Sequence, residues 1–214
     1  MKKHEKHKAI AIPVSFTDDK PNKFLTVRDR RYGEWTFVTG GCRKSEVSNP
    51  LKCALRELEE ETRGAVNLKA GYYSYFSFNY LPKTSNFDKK VEEVTYHVYI
   101  LDFNIPNYEQ FKLIHKFNLA KNNIDKMKKM NLPIKIVYDE NDIMSFETLS
   151  EFDSRGDHVW ELIRQNILEN PKFYNALNSP EKQFFNISNN YRNDSTKIIQ
   201  QKNILRTGEY RRRF

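Results

Sequence analysis

At 214 residues, the chain is long enough for one domain with a full core. Its 38% hydrophobic and 14% aromatic content, led by Phe (15) and Tyr (12), is that of a globular protein, and no window approaches the roughly 18 consecutive apolar residues of a membrane span. The basic start MKKHEKHK leads into an alternating run, not an apolar signal core, so the chain reads as soluble, unexported and cytoplasmic. Two cysteines, Cys42 and Cys53, are too few for a disulfide framework and lack metal-site spacing with any His. They read as packing thiols in a reducing compartment. The net charge of +8 suits a polyanionic partner, nucleic acid or a multiply phosphorylated small molecule.

Ala9–Phe16 and Lys23–Arg30 predict two strands joined by the polar turn Thr17–Asn22, and Glu34–Thr39 alternates up to Gly40-Gly41. A helix follows from Pro50 to Thr62, then strands at Tyr72–Tyr80 and Val91–Phe103 separated by the loop Leu81–Lys90. Pro106 opens a helix to Met130, on which Leu113, Ile114, Phe117, Ile124 and Met127 share an arc of roughly 140°. Lys121 and Lys128 intrude on that arc, and a break near Asn122-Asn123 would relieve the conflict. Ile134–Tyr138 reads as a strand, Asp139–Ile143 as a loop, Met144–Phe146 as a strand, and Thr148–Phe152, Asp157–Leu168 and Pro171–Leu177 as helices. Beyond Ser179 the chain is polar and ends in Arg211-Arg212-Arg213-Phe214, a tail expected to be mobile or partner-dependent.

The chemistry concentrates in GGCRKSEVSNPLKCALRELEEETRGAV. Asn49 and Pro50 suit a helix cap and first helical position. At about 100° per residue, Glu57, Glu60 and Glu61 fall within roughly 100° of one another, beside an apolar arc of Leu51, Ala54, Leu55 and Leu58. Glu59 points away. Like charges one turn apart repel by a few tenths of a kcal/mol each, and a cation between them reverses that sign. Mg²⁺ and Mn²⁺ take carboxylate and water oxygens, with phosphate completing the shell.

With its Gly-Gly turn, Asn-Pro cap and Arg-Glu-Leu-x-Glu-Glu run, the segment resembles the signature of Nudix hydrolases, G-x5-E-x7-R-E-U-x-E-E-x-G-U with U aliphatic. The likeness covers about residues 9–152. It implies an α/β (α+β) fold, the Nudix α/β/α sandwich with a mixed sheet, here as a domain over 1–153. The basic helix near 106–130 would be an insertion, 154–178 would form helices packed on the domain, and 179–214 a polar basic tail. By resemblance Glu57, Glu60, Glu61 and the Gly41 carbonyl hold Mg²⁺ or Mn²⁺, and Arg56 orients the acids. The base is Glu57 or a later loop acid, Glu140 or Asp142, with Glu140 favoured over Asp142 and over Glu92 or Glu93. Two departures stand out. Nine residues, not seven, separate Glu46 from Arg56, with Ser48 where the family's Glu is expected, so Glu46 is read as a brace for the loop. Thr62-Arg63 occupies a place for one residue, a lengthening similar to that of some viral mRNA-decapping members.

Such a hydrolase would act on a nucleoside-diphosphate linkage. The leading expectation is mRNA 5′ cap hydrolysis, giving a capped nucleoside diphosphate and 5′-monophosphate RNA, in the host cytoplasm for a viral enzyme. The alternatives are diphosphoinositol polyphosphates, dinucleoside polyphosphates and nucleotide sugars, or a non-catalytic RNA-binding protein on the same fold. Lys112, Lys116, Lys126, Lys128 and Lys129 are the expected contacts to an anionic substrate. Tyr80 is the expected base-stacking residue among Tyr32, Trp35, Phe76, Phe78 and Tyr80. A carboxylate near the attacking water, activated by the cations, would complete the site.

Overall fold

A computed structural model of the chain describes residues 6–18, 20–82 and 92–187. Val91, most of the 81–90 loop and the Arg-rich end fall outside them. The central strand β1 (Lys6–Thr17) pairs in parallel with β6 (Val94–Asp102) along one edge. Its other edge is shared end to end by β4 (Val38–Gly41) and β2 (Lys20–Asp29), both antiparallel. On β2, β3 (Trp35–Thr36) pairs along the edge that also meets β1, and β7 (Asn141–Glu147) takes the outer edge, while beyond β6 lie β5 (Ala70–Tyr80) and β8 (Gln183–Asn186). The sheet is therefore mixed, as the resemblance implied.

Alternation along β1 sends side chains into two cores. Ile10, Ile12 and Val14 meet Phe152, Ile163, Ile167 and Phe173, which come from α3 (Leu149–Asp153), the segment α4 (Glu161–Ile163) with its π-turn extension Arg164–Leu168, and α5 (Pro171–Leu177). Ala9 and Ala11 face the other way and let α1 (Pro50–Glu61) lie close on the sheet through Ala54, Leu55 and Leu58. The long helix α2 (Asn107–Lys129) adds Phe117 to that second core. Helices thus cover both faces.

Several elements differ from expectation. Ile134–Tyr138 holds no strand, and Ile136–Tyr138 is a 3₁₀ turn. The outer edge of β2 is already taken by β7, so an apolar β-branched run without a partner edge becomes a connector. β7 starts at Asn141, earlier than Met144, and Glu34–Thr39 splits into β3 and β4, with Gly40 and Gly41 paired in the sheet to Ala9 and Lys8. α2 runs unbroken through Asn122-Asn123, because the intruding lysines meet acids. Lys128 pairs with Asp139, and Lys121 lies in the field of Asp125 and Asp142. Asn49 precedes α1 without making a side-chain cap. Gln183–Asn186, inside the expected tail, forms an edge strand with Phe185 buried. No helix of the described residues is long and apolar enough to cross a membrane.

Candidate active site

Pro50 starts α1, and the apolar spacing of Leu51, Ala54, Leu55 and Leu58 clamps it to the sheet. That rotation turns Glu57 and Glu61 inward, to 9% and 6% exposure. Glu57 lies directly over Gly40, where any β-carbon would sit 1.9 Å from its carboxyl carbon. The close approach requires glycine.

Arg56 is the hub. Its Nε and Nη2 donate to Glu46 at 2.8 and 2.9 Å, its Nη1 to Glu57 at 2.7 Å and Glu60 at 2.9 Å, and its Nη2 also to the Gly41 carbonyl at 2.9 Å. Glu46 accepts in addition from the Arg43 amide at 2.9 Å and so ties the loop 42–49 to the helix. Against burial, these hydrogen bonds hold the Glu46 carboxyl below its ordinary range. Glu61 faces away from Arg56. It accepts from Asn141 Nδ2 at 2.8 Å and from the Thr39 amide at 3.2 Å.

Burial pushes the Glu57 carboxyl up, opposed by Arg56 and reinforced by Glu60 and Glu140. Burial pushes Glu61 well up, reinforced by Glu57 and Glu140 against the Asn141 hydrogen bond. Glu140 is raised by burial, then by Asp29 and Glu60. The expected acids Glu57, Glu60, Glu61 and Glu140 therefore form one electrostatic cluster with the Arg56 guanidinium inside it, and Arg43 Nη2 donates to Glu60 at 3.3 Å from the exposed side. Among the described residues no three or more His, Cys, Asp or Glu side chains form a ready-made metal cage, because Arg56 holds Glu57 and Glu60 while Asn141 holds Glu61. The donor set still fits a hard divalent cation: all donors are oxygens, and ionising mutually repelling, desolvated carboxylates is unfavourable until a cation joins them.

Beside Glu61 and Glu140 opens a cavity of about 290 Å³, walled also by Asp29, Tyr32, Glu34 and Trp160. Glu34 is raised by burial and by Asp29. Lys8, 5.8 Å over the Tyr96 ring, supplies a cation at its edge.

Other expected residues lie elsewhere. Asp142 is held by Arg28 at 2.6 and 2.9 Å, so it is engaged structurally. Glu92 pairs with Lys6 at 2.8 Å. Tyr80 packs edge-on to Tyr96 at 6.3 Å, against the first core. Lys116 donates to the Gly64 carbonyl at 2.5 Å and Lys128 pairs with Asp139, while Lys112, Lys126 and Lys129 line the exposed side of α2. Cys42 and Cys53 are free thiols, Cys53 buried. Sequence reasoning missed Asn141, Thr39, Trp160, Asp29 and Glu34, since none belongs to a periodic pattern or to the acidic run.

A split mixed sheet carrying a helix of buried glutamates around one arginine defines a hydrolase of diphosphate linkages. A NUDIX domain model matches residues 5–116, more than half of the chain, and the chain belongs to the Nudix family, whose members generally use a divalent metal. No curated protein matches. Among solved structures, the chain is similar to a Caenorhabditis elegans Ap4A hydrolase in a binary complex, at 13% identity and TM-score 0.41, covering 71% of this chain and 86% of that one. It is similar to a NUDIX hydrolase from Nitrosomonas europaea, at 12% identity and TM-score 0.43 over 75% and 84%. A third is the bifunctional NMN adenylyltransferase/ADP ribose pyrophosphatase of Francisella tularensis complexed with AMP and Mn ion, at 15% identity and TM-score 0.45 over 78% and 42%.

Proposed function

We propose that the chain is a divalent-metal-dependent mRNA cap hydrolase, cleaving capped RNA to a capped nucleoside diphosphate and 5′-monophosphate RNA. The observation that carries this reading is the acid-and-aromatic cavity next to the carboxylates. Asp29, Glu34, Glu61 and Glu140 line it together with Tyr32 and Trp160, and Lys8 is the one cation of that lining among the described residues. An N7-methylated guanine is a cation with a π-face and N–H donors. It gains from aromatic rings and from a desolvated carboxylate together. A diphosphoinositol polyphosphate, dense in phosphates, is repelled by the same wall. A neutral adenine offers Glu34 an amino donor but no positive charge, and gains less.

In this reading residues 1–153 form the hydrolase domain and 154–178 close its first core. Glu57, Glu60, Glu61 and the Gly41 carbonyl would hold Mg²⁺ or Mn²⁺, which would supply positive charge against the diphosphate and a lowered pKa for water. Arg56, anchored on Glu46, orients Glu57 and Glu60 toward that site. Glu140, its carboxyl raised by burial, accepts the proton of the attacking water, with Glu57 the other base within the cluster. The RNA leaves along the exposed side of α2, where Lys126 and Lys129 lie next to the Lys128–Asp139 pair that adjoins Glu140.

The test compares RNAs with N7-methylated and unmethylated caps against diphosphoinositol, dinucleoside polyphosphate and ADP-ribose substrates. We expect the methylated cap to be preferred about tenfold, ~1.4 kcal/mol, within the range of a desolvated cation–aromatic contact. Glu34→Gln should erase that preference. Lys126→Ala with Lys129→Ala should flatten the salt dependence of RNA binding by about two in slope. Equal rates on both caps, or a preference for diphosphoinositol, refutes the reading.

A further inference from the structure

The exit of α1 is one residue longer than the family pattern, and the added length is used. Gly64 N–H closes the helix on the Glu59 carbonyl at 2.7 Å, and Arg63 is forced into the left-handed region at φ 54°, beside Gly64 at 69°. A residue with a β-carbon is disfavoured there, and helices usually place glycine at that position. The conformation turns the Arg63 side chain back under the domain, where it is only 8% exposed.

There the guanidinium lies 4.3 Å over the ring of Phe117 on α2, and Nη2 donates to the Asn141 carbonyl. The side chain of the same Asn141 donates to Glu61 at 2.8 Å. Beside it, the Arg30 amide donates to the Glu140 carbonyl at 2.8 Å, while its side chain reaches Asp125 of α2 at 2.9 Å. Arg63 Nε and Nη1 are buried without a hydrogen-bond partner among the described residues. As a mere filler the position would be better served by an apolar side chain. Among the described residues, the hydrogen bond that the Arg63 side chain makes is to the peptide carrying Glu61's partner.

We propose that Arg63 is a positioning residue that holds the Asn141–Asp142 peptide, and through the Asn141 side chain Glu61, in register with α2, so that a strand docked on α2 is sensed at the carboxylates. The positioning rests on the geometry above. The sensing rests on the proposed path of RNA along α2.

The test uses the full chain with Arg63→Met, which keeps the apolar contact with Phe117 and removes the donor, and Arg63→Lys. Folding is followed by circular dichroism, Mn²⁺ affinity by electron paramagnetic resonance, and kcat and KM on capped RNA and on free cap analogue. Arg63→Met is expected to fold, bind Mn²⁺ about tenfold or more weakly, and lose kcat on both substrates. The advantage of capped RNA over the analogue should shrink, and Arg63→Lys should recover part of each loss. A folded Arg63→Met with wild-type Mn²⁺ affinity and kcat overturns the proposal. Where Arg63→Met does not fold, Arg63→Gln, which keeps a polar end but is too short to reach the Asn141 carbonyl from the same backbone, decides in the same way. If the wild-type chain leaves capped RNA uncut, the cap reading fails, and the Mn²⁺ measurement still decides the positioning role.

Discussion

Gly40→Ala isolates the placement of one carboxylate. The added β-carbon would lie 1.9 Å from Glu57 Cδ and 2.2 Å from Oε1, so the carboxyl group must retreat by about 1.5 Å to reach ordinary contact. Gly40 has no positive φ, and the obstacle is the far end of a flexible side chain, so the strand accommodates alanine while Glu57 moves. A misplacement of about 1 Å in a catalytic group costs on the order of a hundredfold in rate, ~2.7 kcal/mol of transition-state stabilisation. Gly41→Ala is the internal control: its β-carbon meets nothing within 4 Å and its carbonyl is retained. Steady-state kinetics with Mg²⁺ and with Mn²⁺, alongside thermal denaturation, should show Gly40→Ala folded and about a hundredfold slower, with Gly41→Ala near wild type. Wild-type kcat in Gly40→Ala would falsify the assignment of Glu57 to the metal cluster, since its carboxylate would then be free to sit elsewhere.

Glu61→Gln should abolish turnover and change the pH response of the metal-free protein. Because burial raises the Glu61 carboxyl, its contribution to stability is full below about 4.5, its ordinary range, and is lost as pH rises through the folded value. In EDTA the melting temperature of Glu61→Gln should gain on wild type with rising pH, Asn141 turning its amide to suit; a constant difference in calorimetry contradicts the burial argument. For the same reason wild-type Mn²⁺ affinity should weaken as pH falls, protons competing for Glu57 and Glu61. Thr148→Ala removes a capping box in which Thr148 and Glu151 satisfy each other's backbone amides, and should lower stability by about 1 kcal/mol in urea titrations with kcat unchanged. Glu151, held down to about 2 first by the Thr148 amide, contributes stability that is present above its ordinary range and lost as pH falls toward 2. The variant's deficit should narrow over that window.

What was legible in the chain follows from how local the cause is. Leu51, Ala54, Leu55 and Leu58 are spaced for one face of a helix and all four are buried. The alternation of β1 and β6 foretold strands, but the partner of each strand depends on which edges remain open, which is why Ile134–Tyr138, strand-like in composition, lost its edge to Asn141–Glu147. Lys121 and Lys128 looked like faults in the apolar arc of α2 until Asp125, Asp139 and Asp142 came into reach. Thr62-Arg63 was visible as an extra residue at the helix exit, but its contacts with Phe117 and Asn141 span the fold.

The sequence by itself determined that Glu57, Glu60 and Glu61 lie on one helix beside an apolar stripe, because a helical period and side-chain polarity act within a single element. Tertiary structure alone decided which of them Arg56 holds, that Asn141 holds Glu61, and that Asp29, Glu34 and Trp160 wall the neighbouring cavity. Those contacts join residues far apart in the chain, and no local rule constrains such pairs before the sheet has paired its edges and the helices have closed over it.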